Sequence, residues 1–349
     1  MSETKMVTYQ QAINQAQIQA MEKNRTVFVY GLDVADHKRT YGTGANLVEK
    51  FGTERCFSTP LSEEAMMGMG IGAALNGMRP INVHIRVDFL LLAMNQLINI
   101  ASTACYGSEG KLSVPLVVRA VIGRGWGQGF QHSKSLQSIF AHIPGLIVVM
   151  PTTPYDVKGL LINSIRNNNP VIFLEHRWLY WQEGEVPKKP FTIPFGKGKV
   201  LINGKDITIV ATSWMNVEAQ KAAEVMSRRN ISVEIIDPRS ITPLDEKLII
   251  NSVKKTGRCI IADNDWLYCG FSAEVATRIY EKCYKKLKSP LVRIGFAPTP
   301  CPTVRKLENH FYPNAENIIR EIERMLGLEK ADLSNETFYS HEVRFKGPF

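Results

Sequence analysis

The sequence predicts an α/β protein of two domains, each a mainly parallel sheet flanked by helices. Three observations carry this. Short β-branched runs such as TVFVYG, VPLVVRAVIG and PVIFLE show no apolar–polar alternation, which suits strands covered on both faces. These runs alternate steadily with segments of helical period. After about residue 186 a stretch rich in Pro, Gly and Lys breaks the alternation, and the pattern restarts near Val200.

Taken in order, TYQQAINQAQIQAMEKN has apolar positions at helical spacing, and TVFVYGLDV follows as a buried strand. A turn-rich loop, ADHKRTYGTG, leads to a helix around ANLVEKFG. CFSTPLSE is a strand end, EAMMGMGIGAAL a helix, and RPINVHIRVDF a strand. LLLAMNQLINIASTACYG reads as one long buried helix. VPLVVRAVIG is a strand that runs into the loop GRGWGQGFQHSK. HIPGLIVVMPTT, YDVKGLLINSIRNN and PVIFLEH complete the first domain as strand, helix and strand. The expected division is residues 1–186 for that domain, 187–199 for the linker and 200–329 for the second domain. The second domain repeats the alternation, from ITIVATSW and MNVEAQKAAEVMSRRN to NAENIIREIERMLG. Residues 330–349 are polar and mixed, and read as a tail or an arm onto a neighbour.

Composition narrows the function classes. A chain of 349 residues with 44% apolar and 21% charged residues is long enough for two cores. The opening MSETKMVTYQQ has no apolar run of the signal-peptide kind, and DFLLLAMNQLINIASTAC carries too many polar residues to span a bilayer. Six cysteines without metal-ligand spacing point to a reduced, cytoplasmic setting. The net charge of +9 is dispersed, with no basic block and no aromatic platform, which speaks against nucleic-acid binding.

The most informative stretch is Ser58–Gly77, STPLSEEAMMGMGIGAALNG. Glu63 and Glu64 stand where a strand-end loop enters a helix, among unpaired backbone donors and at the positive end of the helix dipole. Gly68, Gly70 and Gly72 interrupt the apolar run behind them, each costing about 1 kcal/mol of helix propensity, so close backbone packing is expected there. Read locally, this is a glycine-lined helix with an acidic first turn.

The wider chain gives that stretch a family. TPLSEEAMMGMGIGAALNGMRP, DFLLLAMNQLIN, VPLVVR, QHSKS, HIPGLIVVMP, YDVKGLL and NNNPVIFLE together resemble the β subunit of thiamine-diphosphate-dependent 2-oxoacid dehydrogenases of the pyruvate and branched-chain type. DITIVAT, ISVEIIDPRSITPLDE and VKKTGRCIIADND continue the match, which runs from about residue 6 to residue 328. The resemblance implies a transketolase-like pyrimidine-binding domain followed by a transketolase C-terminal-like domain. It also implies that an α subunit supplies the diphosphate and magnesium half of the site, in an α2β2 heterotetramer whose β subunits pair. The Gly-Asp-Gly signature of that other half is absent from this sequence.

Carried over residue by residue, Glu63 hydrogen-bonds the pyrimidine ring nitrogen of the cofactor and favours its imino tautomer. Phe89 stacks on the pyrimidine, and Leu61 lines the same pocket. His132, in GFQHSKS, handles a proton at the reacting centre, as an imidazole titrating near neutrality can. His84 and His142 read as structural. The backbone oxygens of Leu116, Ser164 and Ile165, with the side chains of Asn167 and Asn169, mark a candidate potassium site. Asn167 stands there where a related pyruvate enzyme has Asp, which weakens a hard-cation site.

The chain also departs from the family. Gly31-Leu32-Asp33-Val34 replaces Gly-Glu-Asp-Val. Arg86, Arg124 and Trp126 stand near Phe89 and His132, and an Arg there suits a carboxylate or phosphate on the substrate. The positive net charge fits poorly with docking the basic module of a lipoyl acyltransferase. A two-subunit transketolase or carboligase without that acyltransferase is therefore the alternative reading, and a non-catalytic scaffold subunit is a further one.

Overall fold

The computed structural model describes residues 3–37, 39–123 and 128–338. They divide into two compact units. One takes in the described residues up to Gly123, His132–Phe195 and Ile241–Pro243. The other takes in residues 128–131, Gly196–Ser240 and Leu244 onwards.

The first unit opens with β1 (Thr4–Thr8), which runs into α1 (Tyr9–Lys23). Thr8 caps that helix in a reciprocal box with Gln11, each side chain satisfying a backbone N–H of the other residue. β2 (Val27–Gly31), α2 (Leu47–Phe51), β3 (Cys56–Ser58), α3 (Glu63–Leu75), β4 (Arg79–His84) and α4 (Val87–Leu90) follow. Next come α5 (Ala104–Gly107), β5 (Val117–Ile122), α6 (Gln137–Ala141), β6 (Ile147–Val149), α7 (Pro154–Arg166) and β7 (Val171–His176). The pairs β3–β2, β2–β4, β4–β5, β5–β7 and β7–β6 are all parallel, as the unalternating β-branched runs predict. β8 (Glu183–Pro187) returns antiparallel to β1, so the first residue of the expected linker, Pro187, is still paired, with Thr4.

The long helix expected after Phe89 does not form as one piece. α4 gives way to a tight turn at Leu91–Ala93 and then to a widened π-type stretch at Gln96–Ala101, where the Ser102 N–H reaches back five residues to the Leu97 carbonyl. Nor is it wholly buried: Leu92 is 61% exposed, and Leu91 and Ile100 are exposed as well. Apolar periodicity reports which residues avoid water, and a face reserved for another chain looks the same in sequence as a face turned to the core. Among the described residues no single helix is long and apolar enough to cross a membrane.

The second unit holds β9 (Lys199–Ile202), β10 (Ile207–Ala211), α8 (Trp214–Ser227), β11 (Val233–Asp237), α9 (Glu246–Thr256), β13 (Cys259–Trp266), α10 (Phe271–Cys283), β14 (Val292–Phe296), α11 (Arg305–Phe311) and α12 (Ala315–Leu326). Between β11 and α9 the chain gives β12 (Ser240–Thr242), which joins the first unit's sheet next to β6 to complete the order β12-β6-β7-β5-β4-β2-β3. The second sheet has the order β14-β13-β10-β11-β9, parallel except for β9. Its core gathers Ile207, Ile209, Ile235, Ile260, Met215, Ile318 and Ile322 from strands and from α8 and α12. The start of the stretch read as a tail packs on this unit: Leu333 is buried in that core, and Glu336 pairs with Lys221 at 2.8 Å and with Arg228.

Candidate functional site

The first unit's parallel strands put all their carboxyl ends on one edge, where open α/β sheets bind ligands. Glu63 follows β3, Arg86 and Phe89 follow β4, Gly123 and His132 follow β5, and His176 ends β7. Sequence segments far apart thus deliver their polar residues to one edge.

Glu63 is the first residue of α3 and is 8% exposed. The N-cap, Ser62, makes no side-chain cap, so the Glu63 carboxylate stands at the positive end of the helix beside uncapped backbone donors. Glu64 is exposed and accepts a hydrogen bond from Gln96 Nε2 at 2.9 Å, tying α3 to the π-type stretch. The two acids are therefore distinct in environment. Gly70 is needed by its own sheet, since a Cβ there would come within 2.0 Å of the Tyr30 hydroxyl, which donates to the Met66 carbonyl. Gly68 and Gly72 meet nothing closer than 4.0 Å, and Met69 and Leu75 are exposed beside them. Leu61 is 79% exposed, so a pocket wall at that position requires a second chain against it.

Phe89, half-buried, meets His132 edge-on, with ring centroids 5.1 Å apart and planes at 73°. A closed circuit of contacts holds this pair. Arg86 Nη1 donates to the Gly123 carbonyl at 3.1 Å, the Gly123 N–H donates to the Lys134 carbonyl at 3.4 Å, and Lys134 Nζ pairs with Asp88 Oδ1 at 2.8 Å. Burial holds the His132 imidazole below its ordinary range, Arg86 and Lys134 push in the same direction, and Asp88 opposes them. The ring is thus biased towards its neutral form, able to accept a proton.

Gly123 has φ +81°, and a Cβ there would lie 2.4 Å from His176 Nε2, so glycine alone lets this turn close over the end of β7. His176 Nδ1 accepts from the Trp178 N–H at 3.3 Å. Arg177 lies over the Tyr41 ring, its guanidinium carbon 3.9 Å from the centroid. Tyr41 belongs to a loop with left-handed backbone at Asp33, Arg39, Thr40, Tyr41 and Asn46, a strain that needs firm surroundings. They are supplied by Arg119, which is fully buried, pairs with both oxygens of Glu175 (2.5 and 2.9 Å), and donates to Gln17 Oε1 at 2.8 Å and Thr43 Oγ1 at 3.0 Å. Tyr180 donates to Glu175 Oε2 at 2.8 Å. Leu32, where the family pattern has Glu, is buried with Phe28, Tyr30 and Met66. His84, fully buried beside Asn82, is held down to about 4 by desolvation.

Several of the candidate potassium oxygens accept from protein donors. Arg79 Nη1 donates to the carbonyls of Ile165 and Asn167, both at 2.9 Å, and Arg79 Nη2 donates to Asn168 Oδ1 at 2.7 Å. Asn167 Oδ1 accepts from the Asn169 N–H at 2.8 Å and from Asn169 Nδ2 at 3.1 Å. Leu116 and Ser164 carbonyls accept from the N–H groups of Val171 and Asn167. A guanidinium already serves the end of α7, so a cation held there would lie beside the charge of Arg79. Among the described residues no group of three or more His, Cys, Asp or Glu side chains is placed to hold a metal.

Arg124 and Trp126 lie outside the described residues. Sequence reasoning missed Asp88, Lys134, Arg177, Tyr41 and His176 as members of this edge. Lys134 was legible in QHSKS; the others carry no local signal, because their partners come from other strands.

Comparison with known proteins extends over both units. The model of the transketolase pyrimidine binding domain matches residues 5–182, and that of the transketolase C-terminal domain matches residues 196–318. The chain is 38% identical over 317 residues to the beta subunit of acetoin:2,6-dichlorophenolindophenol oxidoreductase of Cupriavidus necator, covering 88% of this chain and 94% of the relative. It is 39% identical over 315 residues to the 2-oxoisovalerate dehydrogenase subunit beta of Bacillus subtilis, covering 90% and 96%. With the pyruvate dehydrogenase E1 component subunit beta of Rhizobium meliloti it shares 38% over 319 residues, covering 91% and 69%. A solved split gene transketolase, described as an inactive beta4 tetramer, superposes with a TM-score of 0.72 at 21% identity, over 93% of this chain and 99% of that one, which speaks for the fold.

Proposed function

Since the chain belongs to the family of thiamine-diphosphate-dependent 2-oxoacid dehydrogenase E1 β subunits, with transketolase pyrimidine-binding and C-terminal domains, we propose that it supplies the pyrimidine half of a shared active site that decarboxylates a 2-oxoacid and passes the acyl fragment to an acceptor such as a lipoyl group. The observation that carries this reading is the convergence of Glu63, Phe89 and His132 on the carboxyl edge of one parallel sheet, with Phe89 and His132 in ring contact.

The residues present suit that half of the cofactor. Thiamine diphosphate, when bound, supplies the nucleophilic carbon and the electron sink for decarboxylation. Glu63 would set its carboxyl group against the pyrimidine ring nitrogen from its buried place at the start of α3. Phe89 would help to hold the pyrimidine with its aromatic ring. His132, kept neutral by its surroundings, accepts a proton at an imidazole nitrogen near the reacting end. Arg86, Asp88 and Lys134 fix the loop that carries it.

An α partner holds the diphosphate and its magnesium in this reading, and two β chains pair in an α2β2 assembly. The exposed apolar residues Met69, Leu75, Leu91, Leu92 and Ile100, on two segments that pack together, are the surface such partners would cover.

The test is co-purification with the α chain and assay of 2-oxoacid decarboxylation with thiamine diphosphate. Glu63→Gln is expected to lower turnover by about 10²–10⁴ while the complex still assembles on a sizing column. Undiminished turnover would remove Glu63 from the chemistry. Fragment transfer to an aldehyde from a ketose phosphate, without carbon dioxide release, would favour the carboligase alternative.

A further inference from the structure

The first sheet also has a cavity at its opposite edge, where the parallel strands begin. α1 and α7 pack side by side and end there, α1 with Lys23 and α7 with Arg166. Between these ends and the starts of β2 and β4 lies a space of about 330 Å³, within the size range of small-molecule sites. Val27, Ile162 and Ile165, all buried, give it an apolar wall. Lys23, Arg79 and Arg166 stand around it, and no Asp or Glu lines it.

The two helix ends call for only part of this charge, since each presents about half a negative charge. Guanidinium groups already meet both. Arg55 donates to the Met21 and Asn24 carbonyls at the end of α1, both at 3.0 Å, and Arg79 to the Ile165 and Asn167 carbonyls at the end of α7, both at 2.9 Å. Lys23 and Arg166 are exposed and form no hydrogen bond or ion pair among the described residues. Their charges are therefore surplus to the fold, and they stand over an apolar space.

We infer that this cavity binds a small organic anion, with its carboxylate or phosphate head at Lys23 and Arg166 and its apolar stem against Val27, Ile162 and Ile165. Arg79, fixed by its carbonyl partners, lends its charge, and the planar fork of Arg166 suits an oxyanion. A neutral molecule of the same shape gains only the apolar contact, and a bare anion only the charge. The six residues of β4, about 20 Å of strand, separate this cavity from the edge that carries Phe89. The ligand is thus bound apart from the reacting end.

The test is calorimetric binding of hexanoate, hexanol, acetate and pentylphosphonate to the full chain. Hexanoate is expected to bind at least about tenfold tighter than either hexanol or acetate, because only it meets both parts of the cavity. Its advantage over hexanol is expected to fall to about twofold or less in Lys23→Gln with Arg166→Gln. Both positions are exposed, so the variant keeps its fold, and circular dichroism checks this. Ala20→Leu, which narrows the cavity from α1, is expected to remove the advantage over acetate while leaving the chain folded. Tighter binding of pentylphosphonate than of hexanoate identifies a phosphate head, and the reverse order a carboxylate. Equal binding of hexanoate and hexanol, a preference that survives in the charge variant, or no binding of either anion at about 10 mM overturns the inference.

Discussion

Among the described residues, every buried Lys and Arg belongs to the first unit: Arg86, Arg119, Lys158 and Arg177. The first unit buries carboxylates as well, whereas the buried charges described in the second are all carboxylates, including Glu218, Glu234, Asp263 and Glu323. Those acids fasten chain joints. Glu218 accepts from the Ala315 N–H at 2.9 Å at the start of α12, Glu234 from the Gly204 N–H at 3.2 Å, and Glu323 from the Ala331 N–H at 2.6 Å. Lys158 does the equivalent work in the first unit, donating to the Pro187 carbonyl at 2.7 Å. Arg86 and Arg177 do more than that, because they lie where parallel strands end and beside a titratable ring. Buried charge that satisfies backbone groups alone is scaffolding; buried charge gathered at a sheet's carboxyl edge, here Arg86 and Arg177 together with Glu63 and Asp88, marks a site.

The sharpest way to break this contrast is to remove an acid from each unit. Glu175→Gln leaves Arg119 buried without its counter-charge and is expected to cost about 3–5 kcal/mol in denaturant unfolding. Glu323→Gln is expected to cost about 1–3 kcal/mol, since its partners Arg229 and Arg320 keep access to water. Equal losses would show that the two buried acids do the same work.

The glycines of α3 give a smaller contrast within one helix. Gly70→Ala drives a methyl into the Tyr30 hydroxyl and is expected to cost about 1–3 kcal/mol. Gly72→Ala meets open space in the isolated chain and is expected to add about 0.5–1 kcal/mol of stability while weakening assembly with a partner. Unimpaired assembly would mean that this face is not covered.

A subtler change concerns the site's charge. The groups acting on His132 are Arg86, Lys134 and Asp88. Arg86→Gln removes a charge that disfavours the imidazolium, so the His132 titration is expected to move to higher pH, and Asp88→Asn should move it lower. Proton NMR of the imidazole, or the acid limb of the pH–rate profile, reads this. No movement would place Arg86's effect elsewhere. The smallest effect is expected from potassium. Exchanging sodium for potassium should leave the melting temperature where it is, because Arg79 already sets a positive charge against these oxygens. A saturable rise with potassium would reverse that.

Much of this molecule was legible in its residues. The unalternating β-branched runs specify strands buried on both faces, and they form parallel sheets in both units. Glu63, Phe89 and His132 stood out because the motifs around them are local, so adjacency in sequence carries the signal. The break at Leu91–Ala101 was not legible, since periodicity cannot distinguish a regular helix from one widened by a π-type turn.

What the sequence determined by itself is the alternation of elements, the register of apolar positions and the type of the two domains, all of which depend on neighbours within a few residues. Tertiary structure alone decided that Arg119 meets Glu175, that Lys134 meets Asp88 and that Arg79 closes the end of α7. Those contacts join residues 56, 46 and 86 positions apart. Parallel strands bring such residues to one edge only after the intervening helices have crossed over, and an isolated charge carries no mark of a partner that far along the chain.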